Sequence, residues 1–190
     1  LKDLPMAADT GPTGGDLSYE FIILAETGES QIYADKRIFE IDLNKYNFSD
    51  NSLSEMRKDF TNIYAATDEK FEEKKFNEHV DKKNQIKTKG IEVGHIFYFG
   101  DKYSKSMNCL IDDKSGKKVS VKMGSYGIGV SRLVGATIEA NYNNGIMKWP
   151  RSISPFDAVI IPSISKNNKE NLQKAEKIYQ ELKKQNIDVL

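Results

Sequence analysis

The sequence predicts an α+β fold in which an antiparallel sheet with helices is followed by the start of an α/β unit. Short apolar runs, rich in branched and aromatic residues, alternate with turn signals up to about residue 123. A glycine-rich turn then leads into a helical pattern that begins near Val130. Runs at 158–161, 168–185 and 187–190 finally give the order strand, helix, strand, which implies parallel pairing.

Residues 1–35 combine a glycine-rich loop with short strands. Segment 9–15, DTGPTGG, has the composition of a loop. The apolar run 20–25 is typical of a buried strand, and residues 31–34 are predicted to form another short strand.

Residues 36–89 change character, because Lys, Glu, Asp and Asn dominate there. Apolar residues recur at helical spacing over 53–64 and, more weakly, over 71–80. Ser52 or Ser54 is a candidate N-cap of the first helix. This segment is therefore predicted to be a short helical insertion with a thin core and no pocket.

The next segment returns to strand character. Residues 91–99 form a strong strand candidate, rich in branched and aromatic side chains. Segment 112–117 is predicted to be a hairpin loop between strands at 108–111 and 119–123, so this part of the chain is expected to be antiparallel.

Composition excludes several classes of protein. Lys plus Arg and Asp plus Glu both number 28 in 190 residues, so the basic excess of a dedicated nucleic-acid binder is missing and RNA contacts must come from local patches. One cysteine, Cys109, and two histidines predict neither a disulfide nor a metal site. The sequence has no apolar run near 18 residues and no signal-peptide pattern, so a cytoplasmic protein without a membrane partner is expected.

The sharpest motif places Gly124, Gly127 and Gly129 between a predicted strand and a predicted helix. Glycine permits positive φ and lets a flat ligand lie close to the backbone. Arg132 follows in the first helical turn, where its guanidinium suits phosphate oxygens or a purine face. The spacing fits neither a Rossmann fingerprint nor a P-loop. Taken alone, the glycines are also compatible with a tight strand-to-helix turn beside a solvated arginine.

Segment GIGVSR resembles motif 3 of the class II aminoacyl-tRNA synthetases, and longer blocks resemble the bacterial-type prolyl-tRNA synthetases. The resemblance covers about residues 1–35 and 90–190, and several ordered blocks are far more specific than one motif. The matching blocks are ADTGPTGG at 8–15, SYEF at 18–21, GIEVGHIF at 90–97, KYS at 102–104, the extended motif at 123–132 and the linker at 149–156.

This resemblance implies a domain organisation. Residues 1–150 would be part of a catalytic domain with the class II antiparallel sheet, and residues 151–190 the truncated start of an α/β anticodon-binding domain. Residues 36–89 would stand where many bacterial relatives carry an editing domain, so editing in cis is expected to be lost. Motifs 1 and 2 are absent, so this fragment alone is expected to be inactive.

The resemblance also implies a function, that of a proline–tRNA ligase. The full-length protein would activate proline with ATP and Mg²⁺ to prolyl-adenylate and transfer proline to tRNA(Pro), working as a cytoplasmic homodimer. Such chemistry depends on positioning and on stabilising phosphate charge rather than on a nucleophilic side chain.

By the same resemblance, Arg132 would be the catalytic, ATP-binding arginine, and Gly127 and Gly129 would line the nucleotide. Two departures from the family are Tyr19, where histidine is usual, and Pro12, which replaces a smaller residue and stiffens its loop. The implied proline-binding residues are Thr10, Glu20, His95, Phe97, Ser125 and Gly127.

Other interpretations stay open from the residues alone. A histidine in an apolar strand, such as His95, is more often a hydrogen-bonded core residue than a ligand contact, and Glu20 could merely end a strand. At the level of function, the alternatives are a non-catalytic synthetase-like paralogue with a regulatory or RNA-binding role, and an unrelated α+β domain. A motif 2 arginine upstream would favour the enzyme over the paralogue.

Overall fold

The computed structural model describes residues 3–15, 17–47, 49–163 and 169–190. It divides into two compact units, Leu1–Ala140 and Asn141–Leu190. The predicted domain boundary after residue 150, and the identities given to the two domains, stay predictions. Within the described ranges, no helix has both the length and the apolar character needed to cross a bilayer.

The first unit contains a six-stranded sheet, a separate two-stranded hairpin and several helices. Its strands are β1 (Asp3–Ala7), β2 (Leu17–Leu24), β3 (Ser30–Asp35), β4 (Ala65–Thr67), β5 (Gln85–Gly100), β6 (Leu110–Asp112), β7 (Lys118–Ser120) and β8 (Met123–Ile128). Its α-helices are α1 (Asp50–Thr61), α2 (Glu73–His79), α3 (Lys102–Ser106) and α4 (Val130–Asn141). Shorter 3-10 turns are Gly11–Thr13, Lys36–Glu40, Leu43–Lys45, Asp68–Lys70 and Lys82–Asn84.

Strand β5 organises the sheet, because it pairs antiparallel with β3 through residues 85–90, with β2 through residues 90–98 and with β8 through residues 94–100. Strand β1 pairs antiparallel with β2 and parallel with β4, and β4 pairs antiparallel with β3. The pairings of β1, β2, β5, β3 and β4 therefore form a closed circuit, which reduces the number of open edges. The antiparallel pairing and the presence of a hairpin are confirmed, but the hairpin strands are 110–112 and 118–120 rather than 108–111 and 119–123.

Glycine is required where β5 passes from β2 to β3, because Gly90 pairs with both Leu24 and Ser30. A Cβ on Gly90 would lie 2.1 Å from Cγ2 of Ile22, and one on Gly28 would lie 2.2 Å from the Gly90 backbone. Only residues without a side chain allow the chain segments to approach this closely.

Two apolar clusters lie on opposite faces of β2. One cluster comprises Leu4, Met6, Ile22, Ile32, Ala34, Ile38 and Ala65. On the other face, Ile23 and Val93 pack with Ala136 and the partly buried Leu133. The last two residues belong to α4, so this cluster fixes the helix that carries Arg132 against the sheet.

The insertion 36–89 differs from its prediction. It contains the two expected helices, but β4 and the first residues of β5 also join the sheet. A three-residue strand is too short for its alternation to be recognised in a sequence. Phe76 is buried and its ring contacts those of Tyr33, Tyr64 and Phe71, so the prediction of a thin core is wrong.

Two further details of the insertion were predicted wrongly. The N-cap of α1 is Ser49, whose Oγ accepts the N–H of Ser52, because the helix begins before the first apolar residue of its pattern. A cavity of about 260 Å³ also lies between the insertion and the first two strands, where Phe60 and Tyr64 face Pro5 and Tyr19.

The second unit contains β9 (Tyr142–Asn143), β10 (Ile146–Met147), a 3-10 turn at Arg151–Ile153 and α5 (Lys169–Lys184). The predicted helix is confirmed from 169, while position 168 lies outside the described residues. Ala158 and Val189 form a parallel bridge, which confirms the parallel pairing. Val159 and Ile161 are 57% and 85% exposed, so the predicted buried strand is wrong: one bridge holds this segment and leaves these side chains uncovered.

Candidate functional site

One face of the sheet collects polar and aromatic side chains from β2, β5 and β8. Residues directly opposite one another in an antiparallel pair project from the same face, and the register therefore places both neighbours of β5 on this face. The opposed pairs are Ser18 with Phe97, Glu20 with His95, Gly127 with His95 and Ser125 with Phe97.

A cavity of about 380 Å³ opens on this face. Thr10, Glu20, His95 and Phe97, four of the six residues predicted to bind proline, line it. Ser125 and Gly127 do not line the cavity but lie exposed beside it on β8. The full lining is Asp9, Thr10, Gly11, Pro12, Thr13, Glu20, Glu69, His95 and Phe97.

The loop that follows β1 forms one wall of the cavity and is held by α3. The carbonyl of Thr13 accepts hydrogen bonds from Lys102 Nζ at 2.7 Å and from the Tyr103 hydroxyl at 2.6 Å. Gly15 has φ of 124°, and a Cβ there would lie 2.7 Å from the carbonyl oxygen of Tyr98. The KYS segment at 102–104 was singled out in the sequence only by its resemblance to a family. In the structure it holds the glycine-rich loop 9–15 in place.

His95 is both a hydrogen-bonded residue and part of the cavity wall. A hydrogen bond of 2.5 Å joins its Nε2 to Ser18 Oγ, and its ring stacks on Phe97 with centroids 4.0 Å apart. Its Nδ1 lies 3.4 Å from Glu92 Oε1 and 4.0 Å from Glu20 Oε1. The sequence allowed His95 to be either a hydrogen-bonded core residue or a ligand contact. In the structure it is hydrogen-bonded to Ser18 and also lines the cavity.

Glu20 lies in the middle of β2, so the alternative that it merely ends a strand is wrong. Burial raises the pKa of this carboxyl to about 7, with further contributions from the negative charges of Glu92, Glu69, Asp68 and Glu29. Among the residues that the structure describes, three carboxyl groups line the cavity and no Lys or Arg does. Such a site favours a ligand with a cationic group.

Arg132 lies outside the cavity but is joined to it through Glu92. Its Nη1 donates to the Glu92 carbonyl at 3.0 Å, and it lies 3.4 Å from Glu92 Oε2 and 3.3 Å from Glu29 Oε1. Because the Glu92 carboxylate also faces His95, one side chain connects the arginine with the cavity. The Arg132 side chain remains 50% exposed.

Sequence reasoning missed Glu92 because strict strand alternation would place it and His95 on opposite faces. The register shifts by one residue between Phe21 and Ile22, so Val93 is an extra residue on β5. A bulge of this kind re-aims the side chains beyond it. Glu92 is thereby brought to the cavity face.

The backbone conformation of the glycine motif differs from the prediction. Gly124, Gly127 and Gly129 do not have positive φ, because they lie in and directly after the extended strand β8. A Cβ on Gly124 would lie 2.9 Å from the carbonyl oxygen of Phe97, whereas one on Gly127 would meet no atom within 4 Å. Gly127 therefore leaves open space over the strand, as a flat ligand requires.

The insertion also contributes to the cavity, through Glu69 of its 3-10 turn Asp68–Lys70. The sequence carried no signal for this, since Glu69 stands in a charged segment with no motif. Tyr19, at the position where the resemblance implies a histidine, does not line this cavity. It projects from the opposite face of β2, into the second cavity.

Three side chains, Glu20, Glu92 and His95, form the one group in the described ranges whose geometry could hold a metal ion. Their ligand atoms lie within 4.8 Å of one another. The sequence did not predict this group, because the bulge that assembles it is not visible there.

No protein-family model matches the chain. It is 55% identical to a proline–tRNA ligase of Pelagibacter ubique, 48% identical to that of Parvibaculum lavamentivorans and 44% identical to one of Rhodopseudomonas palustris. Each alignment covers 100% of this chain and 43% of the relative, so the chain spans less than half the length of these relatives. A solved structure, the Giardia lamblia prolyl-tRNA synthetase in complex with prolyl-adenylate, is similar at a TM-score of 0.44 and 24% identity, covering 53% of this chain and 21% of that one.

Proposed function

We propose that this chain, which is homologous along its whole length to the proline–tRNA ligases, is the part of such a ligase that holds proline and the nucleotide during prolyl-adenylate formation. One observation carries the proposal: four residues assigned to proline by resemblance line a single cavity, and Glu92 connects that cavity with Arg132. Proline transfer to tRNA(Pro) would follow in the full-length protein.

The cavity suits proline in both shape and charge. The stacked rings of His95 and Phe97 offer an apolar surface to the pyrrolidine ring. The carboxyl of Glu20 faces the substrate's secondary ammonium, and the other carboxylates of the lining add to the negative potential. Because Ser18 holds the His95 ring, the wall is formed before substrate arrives.

The nucleotide would lie along β8. The open backbone at Gly127 accepts a flat group, and the Arg132 guanidinium neutralises charge on the α-phosphate. A proline carboxylate oxygen attacks the α-phosphorus and pyrophosphate leaves, so the protein's work is to align the two groups and stabilise the charge. A phosphate would compete with Glu29 and Glu92 for this guanidinium.

Magnesium would enter with the ATP phosphates. The two carboxylates of the Glu20, Glu92 and His95 group suit a hard cation, but an imidazole does not, and Glu92 already contacts Arg132. The group therefore fits Mg²⁺ poorly. We assign the ion to the phosphates and to no side chain of this chain.

We also propose the finer assignments that the resemblance implies. These are the class II layout for the six-stranded sheet, an anticodon-binding domain beginning in the second unit, an insertion without editing activity, a homodimer and a cytoplasmic location. Each of them concerns the full-length protein.

The test is amino-acid-dependent ATP–pyrophosphate exchange by the full-length parent protein, with proline, alanine, cysteine, threonine and serine. We expect exchange with proline well above the other four. A preference for another amino acid would discard the proline specificity. No exchange from a folded protein would favour the non-catalytic paralogue.

A further inference from the structure

The cavity loop, residues 9–15, is held at both ends, and the insertion provides one of the two anchors. At its far end, α3 holds the Thr13 carbonyl. At its near end, Lys70 Nζ of the insertion lies 3.2 Å from Asp9 Oδ2. The other oxygen of Asp9 accepts the N–H of Gly11 at 2.7 Å, so one carboxylate joins the insertion to the first turn of the loop.

Strand β4 explains why the insertion reaches this loop. Ala66 of β4 pairs in parallel with Ala7, the last residue of β1, and Thr67 Oγ1 donates to the Ala7 carbonyl. The loop and the turn Asp68–Lys70 leave these two strand ends side by side. The pairing of these strands therefore brings Lys70 into contact with Asp9. Glu69 of the same turn faces the cavity.

The charges of Lys70 and Asp9 favour this contact between the insertion and the loop. The N–H of Gly11 and then the ammonium of Lys70 lower the pKa of Asp9, so its carboxylate stays ionised at neutral pH. Lys70 is not part of the described cavity lining, so its positive charge is directed to the loop rather than to the substrate.

We propose that Lys70 is a positioning residue of the amino-acid site, which fixes the Gly11–Thr13 turn against the cavity through Asp9. This inference rests on the proposed function and adds a specific role for the insertion, that of a wall and anchor of the proline site. Lys70 does not touch the substrate; it acts through the loop.

The expected effect is modest, because each side chain of the pair is 46% exposed and such pairs are weakened by solvent. In the full-length parent protein, Lys70→Gln should raise the KM for proline by about threefold to fivefold. The KM for ATP and kcat should not change. Asp9→Asn keeps an acceptor for Gly11 and should raise the KM for proline by a similar factor.

The effects of Lys70→Gln and Asp9→Asn should be less than additive in the double variant, because both remove the same interaction. Raising the salt concentration should increase the KM for proline more in the wild type than in Lys70→Gln. The matched control is Lys74→Gln, in the same insertion, whose side chain is 88% exposed and pairs with Glu78 rather than with the loop. This control should behave as wild type, and thermal melting verifies that each variant is folded.

Three outcomes would overturn the inference. They are an unchanged KM for proline in folded Lys70→Gln, a loss shared equally by kcat and both KM values, and additive effects of Lys70→Gln and Asp9→Asn. Absence of proline-dependent exchange in the wild type would remove the proposed function and this inference with it. Normal wild-type exchange beside unaffected variants would remove this inference alone.

Discussion

The cavity that we propose for proline and the strand β8 that we propose for the nucleotide both adjoin β5, yet they are built in opposite ways. The cavity is walled by two strands, a loop and the insertion, and His95 is fixed there by Ser18 and Phe97. On the nucleotide side Gly127 is open, and Arg132 is half exposed. The difference indicates that contacts within this chain shape the cavity, while Gly127 and Arg132 remain accessible to a ligand.

Glu92 is the exception, because it belongs to both regions. Its carboxylate faces His95 on one side and Arg132 on the other. Variants on the nucleotide side should therefore impair ATP use without loss of fold, whereas variants of the cavity should change proline binding and its pH dependence.

The largest effect is expected from Arg132→Ala in the full-length protein. Loss of a group that stabilises phosphate charge should reduce proline-dependent exchange by about 100-fold or more. Arg57→Ala, on the exposed side of α1, is the matched control and should leave exchange unchanged. Activity of Arg132→Ala within twofold of wild type would refute the role of this arginine.

A smaller effect is expected from Gly127→Ala. The new methyl group meets no atom within 4 Å, so the melting temperature should not fall, but it would occupy space assigned to the nucleotide. The KM for ATP should rise by about tenfold, equivalent to about 1.4 kcal/mol. Gly135→Ala in α4 also meets open space and should bind ATP normally while stabilising the helix by up to about 1 kcal/mol. Equal ATP binding by the two variants would argue against the nucleotide position.

The smallest effect is expected from Glu20→Gln, with a distinctive pH profile. Because the pKa of Glu20 is raised to about 7, the carboxylate that we propose to pair with the proline ammonium predominates only above that pH. The wild-type KM for proline should therefore fall as pH rises through 7. Glu20→Gln should lose this dependence and show a KM about threefold to tenfold higher at pH 8.

The same substitution also tests stability, because rising pH should improve proline binding by the wild type but lower the stability of its fold. A folded-state pKa above the ordinary value of 4.5 means that the neutral form is favoured in the fold. The contribution of the neutral Glu20 carboxyl to the free energy of unfolding is complete below pH 4.5 and is lost as pH rises through about 7. Glu20→Gln should thus melt no lower than wild type at pH 8, and Glu26→Gln, exposed in the turn after β2, should change neither property.

The longest strands of this fold could be predicted from the sequence, because they are strongly patterned. β2, β5 and the start of α4 follow directly from apolar runs and the glycine turn. The closeness of Thr10 to His95 followed only from the family resemblance, since periodicity does not indicate which strands pair.

What the sequence could not show depends on contacts between distant residues. β4 has three residues and no pattern of its own, yet it brings Glu69 and Lys70 to the cavity loop. Glu92 reaches the site through a bulge, which reverses the alternation that sequence reasoning relies on. Both features exist only once the strands are paired.

The most direct test of the account is a crystal structure of the full-length protein with a non-hydrolysable analogue of prolyl-adenylate. We expect the pyrrolidine ring to lie against Phe97 with its nitrogen facing Glu20, and the phosphate to lie within hydrogen-bonding distance of Arg132. An analogue bound away from the cavity, or a phosphate distant from Arg132 while that side chain keeps both carboxylate contacts, would contradict it.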